Sequence, residues 1–280
     1  MKKTFMKLAA ATAIVLAATH AYAGNILVVL SDENRLELKD GKVFETGFYL
    51  NELMQPVTAF LDAGHRVTFA TPKGMAPTVD RTSIDKVYFG GDETAMQDSE
   101  ALLAKLKITS PDETPVVSLS RVAQIGYDQF DAVYVPGGHA PMQDLLVDEE
   151  MGRLLQHFHV NGKTTALMCH GPIALLSTLA GATEFTGALA AGHKVTEVGW
   201  IYAGYRMTVF SNGEEDIAKP LLKGGEMKFY PQDALATAGG TLENGKTPFA
   251  PNMVVDRELI TGQNPASATK VASEILKRVP

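Results

Sequence analysis

Cys169 is the single cysteine of this 280-residue chain, and it stands in Ala166-Leu167-Met168-Cys169-His170-Gly171-Pro172. The apolar run before it predicts a buried strand, and Pro172 suits the first turn of a helix through about Leu179. The thiol would then sit at the carboxyl edge of an α/β sheet, where such sheets carry ligands and catalytic groups. Free N–H groups and the dipole of a helix N-terminus favour thiolate, the form that attacks carbonyl carbon. Gly171 permits the sharp turn of a nucleophile elbow. A buried structural thiol fits the same local pattern, because cysteine is among the most buried residue types.

Three further groups can serve a nucleophile. Val135-Pro136-Gly137-Gly138-His139 follows another apolar run, and its paired glycines let backbone N–H groups approach an oxyanion. Pro-Gly-Gly is also ordinary turn chemistry. Glu52 lies near the start of the first predicted helix, at the same sheet edge, where it is either a proton shuttle or a surface glutamate. Glu214-Glu215-Asp216 offers acids that could orient His170, or only charges at a helix start. His157 and His159 are two apart and point in different directions on a helix. His65 reads as structural and His193 stands alone. No spacing of Cys, His and acids matches a standard metal site, so no metal is expected.

The elements that position these groups alternate. Asn25–Leu30 reads as a strand buried on both faces. A helix with Leu50, Leu53, Met54, Val57 and Leu61 on one face should kink at Pro56 or begin near it. Arg66–Ala70 is the second strand. A long connection from Thr71 to about Pro115 carries a short helix at Asp98–Leu106, and connections this long usually cover or serve a site. Val116–Leu119, Ala132–Val135 and Lys163–Met168 are further strands, with an amphipathic helix over Leu145–Val160. Lys194–Val198 and Arg206–Phe210 also read as strands. Met253–Asp256 and Leu259–Thr261 flank a turn at Arg257-Glu258. A last helix spans Ala266–Arg278, with Asn264 or Ser267 as caps. The alternation predicts a helix-covered, mostly parallel sheet.

Composition narrows the setting. Lys2, Lys3 and Lys7, the apolar run Leu8–Ala18 and Ala21-Tyr22-Ala23 have the form of a cleavable export signal. The expected mature chain starts at Gly24, is periplasmic, and forms a single domain over residues 24–280. Its acids exceed its bases by ten, a balance that repels nucleic acid and anionic membranes. In an oxidising compartment a lone cysteine cannot form an internal disulfide. That setting favours a functional thiol.

Five segments occur in order: Thr46-Gly47-Phe48-Tyr49-Leu50-Asn51-Glu52, Ala63–Val67 with Thr71–Gly74, Pro136–His139, Met168–Pro172 and Thr261–Ser267. Together they resemble the ThiJ/PfpI superfamily, of class I glutamine amidotransferase-like fold. The resemblance is nearest its heat-shock chaperone and glutathione-independent glyoxalase (glyoxalase III) branch. It implies a flavodoxin-like three-layer α/β/α sandwich with a nucleophile elbow. Cys169 matches the nucleophile, Glu52 the glutamate beside it, His170 the adjacent histidine, and Glu215 (alternatively Glu214) the acid of a Cys-His-acid triad. Gly137, Gly138, His139 and Gly171 match the oxyanion and substrate-binding turn. The implied activity converts methylglyoxal-like dicarbonyls to 2-hydroxy acids without a cofactor, in a homodimer. A holding chaperone for misfolded clients, a thiol-based stress sensor and a peptidase or hydrolase are the other readings. Leu167 departs from the G-x-C-x-G elbow of dienelactone-type hydrolases, and no downstream His-x-Glu pair supports a glutamine amidotransferase. Trp200-Ile201-Tyr202-Ala203-Gly204-Tyr205-Arg206 reads as extra chain at the pocket wall, and it leaves the third triad member open between two glutamates.

Overall fold

The computed structural model describes residues 23–195 and 199–280. In β1 (Asn25–Val29), Ile26 and Val28 face one apolar layer while Leu27 and Val29 face the other. A strand covered on both sides has no solvent face, which is why its run is apolar without alternation. A small ribbon, β2 (Arg35–Glu37) and β3 (Val43–Glu45), precedes α1 (Leu50–Asp62), and β4 (Arg66–Thr71) follows. Next come α2 (Glu93–Leu106), β5 (Val117–Ser118), α3 (Leu119–Ile125), β6 (Ala132–Val135), α4 (Glu149–Val160) and β7 (Thr164–Met168). The chain continues through α5 (Ala182–Ala190), β8 (Arg206–Met207), α6 (Asn212–Ala218), α7 (Pro231–Thr237) and β9 (Thr241–Leu242). It closes with β10 (Met253–Asp256), β11 (Leu259–Gly262) and α8 (Ala268–Leu276).

The main sheet has the order β10-β11-β7-β6-β1-β4-β5. Only the β10–β11 hairpin is antiparallel. Helices α1, α2 and α8 cover one face, and α3, α4 and the turn after β7 cover the other. This is the flavodoxin-like three-layer sandwich. Chain order reverses direction across the sheet between β1 and β6, and the crevice at such a switch point is where open α/β sheets bind ligands.

Several local expectations are corrected. The first helix does not begin near Pro56; α1 starts at Leu50 and carries the proline inside it. Val116–Leu119 yields only two strand residues, because the Ser118 hydroxyl accepts from Arg121 N–H and starts α3. Asp148 likewise caps α4, which begins four residues later than the apolar pattern suggests. Asp92 starts α2 ahead of the expected helix. The segment after Cys169 is a 3-10 helix over Gly171–Thr178 with every residue buried. Of the strand expected over Arg206–Phe210, only Arg206–Met207 pairs, with β9. Lys194 and Val195 are irregular, and the rest of that expected strand, 196–198, lies outside the described residues. All but the last residue of the expected export signal lies outside them too. No helix among the described residues is long and apolar enough to cross a membrane.

Candidate active site

β6 and β7 are parallel neighbours, with Val135 opposite Leu167, so the segments that follow them meet at one sheet edge. Cys169 leaves β7 with φ +56°, the left-handed region that a side-chain-bearing residue enters at a cost. Two backbone bonds hold it there. Its N–H donates to the Gly262 carbonyl at 2.8 Å, and its own carbonyl accepts from Phe210 N–H at 2.9 Å. Gly171 lets this turn press against β6, since a Cβ there would fall 2.7 Å from the Val135 carbonyl oxygen.

On one side of the thiol lies a histidine–glutamate pair. The Cys169 sulfur is 3.3 Å from His170 Nδ1, and His170 Nε2 is 2.8 Å from Glu215 Oε1. The Phe210 ring stacks on His170 at 4.8 Å between centroids, fixing the imidazole plane. Burial pushes His170 below the ordinary histidine range and His139 adds to this, while Glu215 opposes both. Burial alone would raise Glu215, yet the His170 and His139 side chains hold it down to about 2. Ionised Glu215 accepts the Nε2 proton of neutral His170, which leaves Nδ1 bare and facing the thiol. The triad-like chain therefore runs to Glu215, the preferred one of the two glutamates considered.

Glu214, the alternative, does something else. Its Oε1 accepts from Phe249 N–H and the Asn264 side-chain amide, both at 2.8 Å. Its Oε2 accepts from Ser211 N–H at 3.0 Å, the Ser211 hydroxyl at 2.8 Å and Gln263 Nε2 at 2.9 Å. One buried carboxylate thus closes a capping box on α6 and ties it to the β11–α8 turn. Asn264, expected as a helix cap, is committed here, and no side chain caps α8.

On the other side of the thiol is Glu52, fully buried at the third position of α1. Its Oε2 accepts from Gly137 N–H at 2.7 Å. Oε1 has no hydrogen-bond partner of ordinary geometry, and the carboxyl interacts with the Cys169 thiol. Burial pushes Glu52 up to about 8, so at neutral pH it carries a proton. Burial also pushes the thiol up, as does a charged Glu52, whereas the Gly138 N–H pulls it down. Protonating Glu52 removes the second of these effects and supplies a donor to sulfur. Gly137 N–H is therefore spent on Glu52, and Gly138 is the glycine whose N–H faces the sulfur. Gly138 has φ +94°, and a Cβ on it would lie 1.9 Å from the Gly47 carbonyl oxygen. Tyr49 N–H donates to the Gly137 carbonyl at 3.2 Å. The Thr46–Glu52 and Pro136–His139 motifs are thus two sides of one contact.

The position of Glu52 depends on residues that spacing did not single out. Pro56 has no N–H to give the Glu52 carbonyl four residues earlier. The buried Tyr134 hydroxyl on β6 donates to that carbonyl instead and also approaches the Met168 sulfur. Pro56 was the available signal: a helical proline leaves one carbonyl needing an outside donor.

His139 faces His170, ring centroids 4.0 Å apart, with its Nε2 3.9 Å from Glu215 Oε2. Among the described residues, His139, His170 and Glu215 are the three whose ligand-type atoms gather within 4.8 Å and could hold a metal ion. The short His170–Glu215 bond pairs two of those atoms with each other. Two other histidines are engaged away from this site: His157 meets Asp128 at 2.9 Å and His159 meets Glu258 at 2.8 Å. Trp200, Tyr202 and Tyr205 do not line the pocket wall, contrary to expectation. They pack into the core behind the 3-10 helix, Trp200 Nε1 donating to Thr178 Oγ1 at 2.9 Å.

A cysteine at a left-handed elbow on a flavodoxin-like sheet, flanked by a glutamate from the first helix, defines a class. The chain belongs to the ThiJ/PfpI family: the ThiJ/PfpI family-like profile matches residues 43–196, which include Glu52, Gly138, Cys169 and His170. Among relatives, it is 27% identical over 268 residues to the probable glutathione-independent glyoxalase hsp3103 of Schizosaccharomyces pombe, covering 90% of this chain and 97% of that one. It is 25% identical to the protein/nucleic acid deglycase HchA of Staphylococcus aureus, over 88% of this chain and 76% of the relative. Among solved structures, glyoxalase III from Candida albicans superposes with a TM-score of 0.70 at 18% identity, over 92% of this chain and 98% of that one. Rapid Encystment Protein 24 KDa of Francisella tularensis gives 0.69 at 21%, over 91% and 98%. These two likenesses bear on the fold.

Proposed function

We propose that the protein is a cysteine-dependent glyoxalase that converts methylglyoxal-like dicarbonyls to 2-hydroxy acids without glutathione or another cofactor. One observation carries the reading: the Cys169 thiol lies between His170 Nδ1 at 3.3 Å, itself backed by Glu215, and the fully buried carboxyl of Glu52, which burial pushes up to about 8. The names of the relatives support the same general type of enzyme.

The chemistry follows from where protons can go. His170 Nδ1 takes the thiol proton as sulfur bonds to the aldehyde carbon, and that proton returns to the oxygen to give a hemithioacetal. Gly138 N–H stabilises charge developing on this oxygen. His170 Nδ1, bare again, removes the hydrogen on the former aldehyde carbon while the proton of Glu52 passes to the ketone oxygen, forming an enediol. The imidazolium returns its proton to the neighbouring carbon and the hydroxyl beside sulfur gives its proton back to Glu52, leaving a 2-hydroxy thioester. Water cleaves the C–S bond, releasing the 2-hydroxy acid and the thiol. The net change is addition of one water, with no external oxidant or reductant.

The deciding experiment is D-lactate formation from methylglyoxal by the purified protein in the absence of glutathione. Activity that vanishes in a folded Cys169→Ala variant supports the assignment, and undiminished activity in that variant sinks it. We further propose export to the periplasm, for which cell fractionation followed by N-terminal sequencing should place the mature start at Gly24.

A further inference from the structure

Above Cys169 and His170 opens a cavity of about 830 Å³. That is within the range, roughly 300–1,000 Å³, that houses drug-sized ligands. A three-carbon substrate would fill a small part of it. The wall is apolar and aromatic, with Phe210 and Tyr88 deeper and Val87, Ile217, Leu221 and Phe249 around the mouth. Those last four are 66%, 55%, 41% and 43% exposed. They are four of the ten large apolar side chains that stand exposed among the described residues, gathered at one opening. Among the described residues, no Lys or Arg lines the cavity. A substrate bearing a carboxylate or phosphate would lose its hydration there with no cation to replace it.

Phe249 supplies a second observation. It adopts φ +59°, a conformation that a bulky side chain enters only when its surroundings hold it. The bond from its N–H to Glu214 Oε1 does so, and its ring meets Phe210 at 6.0 Å between centroids. The strain places an aromatic side chain in partial contact with water at the mouth, where it loses burial it would have elsewhere.

We infer that the cavity selects neutral α-oxoaldehydes carrying an aromatic or branched apolar substituent, with the dicarbonyl at Cys169 and the substituent inside the collar of Phe210, Phe249, Leu221 and Val87. This rests on the proposed glyoxalase reading and names its substrate class. An aryl substrate follows the same balance, phenylglyoxal plus water giving mandelate.

The test compares kcat/KM for phenylglyoxal and methylglyoxal in the wild type, Phe249→Ala and Leu221→Ala. The wild type should prefer phenylglyoxal by about tenfold or more, the order expected when an apolar pocket is filled. Each variant should lower the phenylglyoxal value at least fivefold more than the methylglyoxal value. Equal or reversed wild-type preference, or equal losses on both substrates, overturns the inference. Calorimetric titration with acetophenone, an unreactive aryl ketone, separates the two readings. Binding that weakens at least fivefold in Phe249→Ala, with neither aldehyde turned over, keeps the apolar subsite and removes the glyoxalase reading. Turnover without acetophenone binding does the reverse. Should Phe249→Ala fail to fold, Val87→Ser on the exposed rim carries the same comparison.

Discussion

The hydroxyl of Tyr134 donates to the backbone carbonyl of Glu52, the acceptor that Pro56 leaves unserved inside α1. A proline in a helix interior ordinarily costs about 3 kcal/mol, part of it from the lost bond. Here a tyrosine on the adjacent strand makes the replacement, and the helix turn carrying Glu52 is fastened to β6. Tyr134→Phe should leave that carbonyl buried and unsatisfied, costing about 1–3 kcal/mol in denaturant unfolding. It should also lower kcat more than it raises KM. Adding Pro56→Ala supplies the missing N–H and should recover part of both losses. A double variant no better than Tyr134→Phe alone would rule out this coupling.

Glu52 should impose a pH dependence on stability. Its folded value is pushed up to about 8 by burial, against an ordinary 4.5. Below about pH 4.5 both states hold the proton and the contribution is complete. As pH rises toward 8 the unfolded chain releases the proton and the folded chain does not, so stability falls, levelling off above 8. The loss should be roughly 2–5 kcal/mol, because the proton is shared with the thiol. Unfolding of wild type and Glu52→Gln at pH 5 and pH 8 checks this, and parallel slopes would contradict it.

Glu215→Gln should keep the fold and lower kcat by about 10²–10⁴-fold, the range for loss of positioned acid–base function. An ionised acceptor for the His170 Nε2 proton is then gone, and the alkylation rate of Cys169 by iodoacetamide should fall with it. Unchanged kcat would remove Glu215 from the proton path.

Glu214→Ala should behave in the opposite sense. Five donors lose their acceptor, and breaking a buried charged network costs about 3–5 kcal/mol. The denaturation midpoint should fall well below that of Glu215→Gln. A neutral effect on stability would contradict the structural role.

Gly138→Ala must move backbone, since the new Cβ meets the Gly47 carbonyl and φ is +94°. A destabilisation of roughly 1–3 kcal/mol is expected, with kcat reduced as the N–H leaves the sulfur. Wild-type values for both would show that the turn has more room than its contacts indicate.

Much of this site was readable in order along the chain, because the sheet maps order onto position. Strands β1, β6 and β7 are buried on both faces, and their ends must share an edge once they are parallel, so spacing brings Gly138 and Cys169 together; for Glu52 it leaves a proton shuttle and a surface glutamate open, and only the resemblance sets that carboxyl beside the thiol. Short polar caps were harder. Ser118 and Asp148 each compete with an apolar run and win, because one side-chain acceptor at a helix start satisfies an N–H that the run cannot. The choice between Glu214 and Glu215 turned on side-chain direction within one helical turn, which adjacent acids do not announce. Phe249 was unreadable for a different reason: its backbone conformation is imposed by Glu214, 35 residues away.

The amide of Cys169 is a rung of the sheet, bonded to Gly262, and its carbonyl anchors Phe210. The thiol is therefore positioned by the cooperative core and not by a loop with its own melting behaviour. Its amide hydrogen should exchange with solvent as slowly as those of β7, through opening of the whole molecule only. Heating should then silence catalysis and unravel the sheet at one temperature, with no inactive but folded stage between them.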